Sequence, residues 1–215
     1  MLFFDLEFYV PPSDRNSSLG SLILNPAHPN HIVLGGCFYR KRLRETIAEP
    51  LQMESLWLWN FDDEKSLLKA IYDLFRKEWR LHQHQENEWI LRKPVTDVVV
   101  CGTGIARCDL PALYCRSHIH SIASNIDLFE VFLKSKSIDL ANVASFLFPE
   151  NDLLYPITAL EMAGRLRITE KKGSSKKVWD SYEEGDYVSI ENRTKSELLN
   201  ITRVYTALQK RVTGR

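Results

Sequence analysis

Hydrophobic and polar positions are most tightly ordered at the start of the chain. Met1-Leu-Phe-Phe-Asp-Leu-Glu-Phe-Tyr-Val10 is apolar nearly throughout, interrupted by Asp5 and Glu7. Aromatic and β-branched residues at this density predict a strand buried on both faces. Strand alternation puts Asp5 and Glu7 on one face, about 7 Å apart along the chain, with Phe4, Leu6 and Phe8 on the other. Residues 11–18 read as a loop, 21–24 as a short strand, 25–30 as a turn and 31–40 as a strand. Gly35-Gly36 within that strand predicts a bulge or a close backbone approach. Residues 56–59 give a third short strand, and short turns between strands predict an antiparallel meander.

The period then changes. Leu67, Leu68, Ile71, Leu74, Phe75 and Trp79 follow helical spacing to about Arg80, with Asp62 or Asp63 as the cap. The polar stretch 82–88 reads as a loop, and its His82 and His84, like His118 and His120, as structural or solvated. Residues 96–101 form a buried strand, Gly102-Thr-Gly104 breaks it, and 109–117 begin a helix with Asp109 as its cap and Pro111 in the first turn. That places Asp109 at the carboxyl end of a central strand, where sites in mixed sheets lie. Gly-Thr-Gly is too short for a dinucleotide fingerprint. Residues 126–132 read as a strand or a helix start, 138–148 as an amphipathic helix and 160–166 as a weaker one. The basic stretch 171–177 reads as a solvated turn. A long helix follows over about 190–211, its apolar face including Leu198, Leu199, Tyr205 and Leu208.

Composition narrows the function classes. The chain has 215 residues, and its 28 Lys plus Arg balance 28 Asp plus Glu, which argues against a strongly basic nucleic-acid coat but not against a local basic groove. At 44% hydrophobic it can bury a core. No apolar run reaches the roughly 20 residues that span a bilayer, so no membrane association is expected. The start lacks a basic leader, and Cys37, Cys101, Cys108 and Cys115 contain no Cys-x-x-Cys pair, so buried thiols in a reducing cytoplasm are expected. Two carboxylates on one face of a buried strand repel each other and are costly to desolvate. A divalent cation removes that cost, and oxygen ligands suit magnesium or manganese.

These segments resemble the DEDD superfamily of 3′–5′ exonucleases on an RNase H-like fold, above all the proofreading exonuclease domain of family-B DNA polymerases and its stand-alone relatives. The first family motif is an Asp-x-Glu pair on the first strand, matched by Phe4-Asp5-Leu6-Glu7. The second is matched by Cys108-Asp109-Leu110-Pro111-Ala112-Leu113, and a downstream Asp-Leu by Asp127-Leu128. Ser137-Ile-Asp-Leu-Ala-Asn-Val-Ala144 is similar to the helix that follows. The third motif, Tyr-x-x-x-Asp on the last helix, departs. One register puts Glu197 in the place of the fourth Asp and Arg193 in the place of the tyrosine. Trp179-Asp-Ser-Tyr-Glu-Glu-Gly-Asp186 is similar to the segment before that helix. A literal Tyr182-x-x-x-Asp186 lies earlier in the chain.

The resemblance implies an α/β fold: an RNase H-like mixed sheet, its first three strands antiparallel, flanked by helices, with residues 1–215 as one 3′–5′ exonuclease-like domain. It implies two-metal phosphodiester hydrolysis. Asp5, Glu7, Asp109 and Glu197 (with Asp186 as the alternative fourth ligand) would hold two Mg²⁺ or Mn²⁺ ions. Leu6, Phe8 and Arg193 would contact a single-stranded DNA or RNA 3′ end, with Tyr9 and Tyr114 as further stacking candidates and Asp14 and Arg15 beside the terminal nucleotide. Arginine stays protonated and cannot act as the base. The alternative expectation is a catalytically weakened exonuclease-fold module that binds nucleic acid or a protein partner.

Overall fold

Five strands make one mixed sheet in the computed structural model, which describes residues 1–15, 24–42, 45–87, 98–147, 159–168 and 176–214. They are β1 (Leu2–Tyr9), β2 (Ile32–Arg40), β3 (Met53–Trp57), β4 (Val99–Gly102) and β5 (Lys136–Asp139), in the order β3-β2-β1-β4-β5. β1, β2 and β3 pair antiparallel, whereas β4 runs parallel to β1 and β5 parallel to β4. This is the RNase H-like mixed sheet expected from the sequence, and β1 lies at its centre because both of its faces are apolar.

The two faces of β1 build two cores. Leu2, Phe4, Leu6 and Phe8 pack with Val33, Phe38, Leu67, Ile71, Phe75 and Leu113, under α1 (Glu64–Asn87) and α2 (Asp109–Ile119). Phe3 points the other way, with Leu34, Cys37, Tyr39 and Trp57. Against that face lie α4 (Leu140–Leu147), α5 (Ala159–Arg165), α6 (Lys176–Glu184) and α7 (Tyr187–Thr213). In α7 the buried residues Ile190, Thr194, Leu198, Ile201, Val204 and Leu208 recur every three or four positions, which lays one stripe of the helix along the sheet. The Asp186 side chain caps the start of α7 by accepting from the Ser189 amide at 3.1 Å, and Gly214 closes its end at φ 65°. Each fully buried large apolar side chain stabilises by about 1.5–3 kcal/mol.

Several local expectations are corrected. The helix expected over 138–148 begins only at Leu140, as α4, and residues 136–139 form β5 instead. β3 starts at Met53, and Leu58–Asn60 form a 3-10 turn. α1 continues past Arg80 through most of the stretch read as a loop. Polar Gln and Glu are good helix formers, so the loss of apolar period there marks a polar helix end, not a break. The ambiguous 126–132 segment is helical: α3 (Asn125–Leu128), capped by Ser124, runs on into a π turn, Phe129–Leu133. Leu24 is not in a strand; residues 21–23 and most of the basic stretch 171–177 lie outside the described residues.

Candidate metal centre

The site is assembled on the face of β1 opposite α1. Glu7 pairs with Gly35 of β2, and the register shifts between Glu7 and Phe8. A bulge of this kind re-aims neighbouring side chains. Gly36, facing Leu6, admits no Cβ: one built there would stand 2.1 Å from the Asp5 carbonyl oxygen. The strands can close on each other beside Asp5 and Glu7 only because that position is glycine.

α7 crosses this end of the sheet and brings Glu197 to the pair. Ligand oxygens of Asp5, Glu7 and Glu197 all lie within 4.8 Å of one another. Three carboxylates that close form a donor set for a hard divalent cation. Arg193, one turn before Glu197, donates from Nη1 to Glu7 Oε1 and sets Nη2 2.7 Å from Glu197 Oε1. Thr194 is fully buried; its hydroxyl lies 3.0 Å from Glu7 Oε1 and 2.9 Å from the Ile190 carbonyl oxygen, sharing one proton between them. α7 therefore holds Glu7 through two consecutive residues.

Asp109, at the start of α2, is not one of the three carboxylates that meet within 4.8 Å. It is near enough to feel the charge of Glu7, and it accepts from the Leu6 amide of β1. It is 7% exposed. Burial is the main cause pushing its carboxyl up to about 7, and the charge of Glu7 adds to it, while its own amide and that of Leu6 pull the other way. Asp109 does not cap α2 as expected; Cys108 holds the cap position, and its side chain makes no capping bond.

Asp139, at the end of β5, holds the turn that delivers Asp109. Its carboxylate accepts from the amides of Gly104 at 2.9 Å, Ala106 at 3.2 Å and Ala141 at 3.1 Å. The first two bonds fix the loop after β4, and the third caps α4. The sequence signal for this role is an Asp directly before an apolar helical run.

Asp109's raised value sets a pH dependence. Its folded value, about 7, lies above the 3.8 of a free carboxyl. Between the two, the folded chain keeps a proton that the unfolded chain has lost, so the metal-free protein loses stability as pH rises through that window. Asp109→Asn keeps the shape without ionising. In EDTA it is expected to exceed wild type by about 4 kcal/mol above pH 7 and to come close to it near pH 4. Urea unfolding at both pH values checks this; an unchanged gap would contradict it.

Other candidates lie elsewhere. Leu6 and Phe8 are buried in the α1–α2 core, and Tyr114 packs against it, so none of the three side chains is brought to the carboxylates. Asp186 is exposed at its cap position, and Tyr182 packs against Tyr9 and Tyr187 at ring-centroid distances of 4.9 and 6.0 Å. Arg15 donates to the Val10 carbonyl at 2.8 Å and to Glu183 at 2.5 Å. Asp14, His28 and His31 form a second close group. There the Asn25 amide donates to His31 Nδ1 at 2.9 Å, which leaves the proton on Nε2, directed at Asp14 3.1 Å away. With its lone pair taken on one side and its proton on the other, His31 serves as a latch between two loops, not as a ligand. His120 bonds Glu64 and His118 bonds Asn125. All four cysteines are free, Cys37 and Cys101 buried and the others half-buried. Burial pushes Cys37 up to about 11 and Cys108 up to about 12, values of unreactive thiols. Among the described residues no helix is long and apolar enough to cross a membrane.

No protein-family model and no curated protein matches this sequence. The chain is similar in fold to a family B DNA polymerase from the hyperthermophilic archaeon Pyrobaculum calidifontis, with a TM-score of 0.60 and 13% identity. The similarity covers 99% of this chain and 24% of that polymerase, so the chain spans about a quarter of its length. At that identity the likeness is one of fold.

Proposed function

We propose that residues 1–215 form a single exonuclease-like domain that shortens single-stranded nucleic acid from its 3′ end by metal-dependent phosphodiester hydrolysis. The observation that carries this reading is the meeting of Asp5, Glu7 and Glu197 within 4.8 Å. The fold shared with a nucleic-acid polymerase supports it. Asp5, Glu7 and Glu197, with Asp109 beside Glu7, would hold the divalent cations. Such ions, when bound, supply an activated water and stabilise charge on the leaving oxygen. Asp5 would supply its ligand oxygen from the strand and Glu197 from the helix. Arg193 binds charge but takes no proton. Without a water-orienting tyrosine, turnover is expected to be slow, by about 10²-fold or more.

A second reading, a weakened module that binds nucleic acid or a protein partner, is favoured by one observation: Arg193 is already paired with two of the carboxylates. The test is a time course on 5′-labelled single-stranded DNA and RNA in Mg²⁺, Mn²⁺ or EDTA. A ladder shortening from the 3′ end in metal and absent in EDTA is expected. No shortening of either polymer in either metal overturns the nuclease reading, and retained binding would then favour the second.

A further inference from the structure

The carboxylate cluster contains a cation that the chain itself supplies. Arg193 is 15% exposed, and its guanidinium reaches Glu7 from β1 and Glu197 from α7, whose side chains are 8% and 13% exposed. These two are among the three residues whose oxygens would ligate an ion. The contact to Glu197 runs between i and i+4 on one helix face, a spacing that helix geometry supplies directly. Thr194 adds its hydroxyl to the same Glu7 oxygen. Glu7 is thus oriented by α7 whether or not an ion is bound.

Charge counting extends the point. The three close carboxylates, Asp5, Glu7 and Glu197, bring three negative charges when ionised. Two divalent ions supply four positive charges, and a guanidinium left in place makes five. One divalent ion plus the guanidinium supplies three. In a site this sheltered, like charges repel with little screening, so a second ion and an in-place Arg193 oppose each other.

Resting on the nuclease reading above, we propose that Arg193 is a resident counter-ion that fills one of the two cation places, so that the native chain loads a single divalent ion. The second place opens only when the guanidinium leaves Glu7 and Glu197. Arg193 is then a positioning residue that tunes how many ions the cluster takes, and the departure from the third family motif has a physical role.

The test is Mn²⁺ binding to the full chain at neutral pH, followed by calorimetry and by the spin-coupled signal of paired Mn²⁺. The proteins are wild type, Arg193→Met, Arg193→Lys and Asp5→Asn, each checked for folding by circular dichroism. Wild type is expected to bind one ion per chain without a coupled signal. Arg193→Met is expected to bind two, with the coupled signal, and to take the first about tenfold more tightly, within the usual range of site coupling. Arg193→Lys keeps the charge without the fork and should stay at one ion. Asp5→Asn should lose binding, which places the ion in this cluster. Two coupled ions in wild type, or an Arg193→Met protein that binds as wild type does, overturns the proposal and leaves the nuclease reading standing. Binding by neither protein above the Asp5→Asn background overturns both. If Arg193→Met does not fold, the wild-type stoichiometry alone decides.

Discussion

Asp5→Ala is expected to lower 3′-end shortening by at least about 10³-fold, equivalent to about 4 kcal/mol of transition-state stabilisation, while leaving the fold intact. Asp5 lies on the central strand, and its oxygen meets those of Glu7 and Glu197 within 4.8 Å. Removing it takes away a ligand no neighbour replaces by rotation, because Arg193 and Thr194 hold Glu7 and Arg193 engages Glu197. The fold does not depend on this carboxylate: the flanking Phe3, Phe4 and Leu6 carry the packing, and one fewer negative charge relieves repulsion. Circular dichroism and thermal midpoint should therefore match wild type. Glu197→Ala should behave like Asp5→Ala. Asp186→Ala should change the rate by less than about twofold and cost about 1 kcal/mol of stability, since its carboxylate caps α7. An Asp5→Ala protein that still trims, or an Asp186→Ala protein that does not, would refute the assignment.

What could be read from the sequence follows a physical line. β1 shows as a nearly unbroken apolar run and α7 as a three-to-four-residue period, and Asp5 and Glu7 share a face for the simple reason that strands alternate. β5 was invisible because it is four residues long, half exposed, and leads straight into the apolar helix α4. A local window assigns such residues to the longer element. The Arg193–Glu7 contact joins residues 186 positions apart, and the Asp139 bonds to the β4–α2 loop span 33 and 35. Neither leaves a local trace, since each depends on which strand and helix meet after folding. The resemblance to the exonuclease motifs leaves Glu197 and Asp186 as alternatives; the structure brings Glu197 to Asp5 and Glu7, and nothing local shows that Arg193 turns onto two of the carboxylates.

The largest loss of stability is expected away from the cluster, at Arg116. Its side chain is 4% exposed and that of Glu64 8%. Nε donates to Glu64 Oε1 at 3.0 Å, Nη2 donates to Oε2, and Nη1 donates to the His28 carbonyl at 3.0 Å. Glu64 Oε1 also accepts the Val33 amide at 2.8 Å. One buried ion pair thus ties the start of α1, the last turn of α2 and β2 to the 25–31 turn. Arg116→Met leaves the buried Glu64 carboxylate with only the Val33 amide and the half-buried His120 ring, 3.0 Å from Oε2, in place of its permanent counter-charge, at a cost of about 3–5 kcal/mol. For a chain of this size, that corresponds to a fall of roughly 10 °C in thermal midpoint. Adding Glu64→Met removes the stranded charge and should recover more than half of the loss, because two well-packed apolar groups can replace a buried pair. α2 begins at Asp109, so the single variant should also weaken Mn²⁺ binding, and the double variant should restore it in step with stability. Denaturant unfolding of the two variants in EDTA decides the first part. A loss below about 1 kcal/mol for Arg116→Met would mean that water reaches Glu64 and that the pair does not hold these elements together.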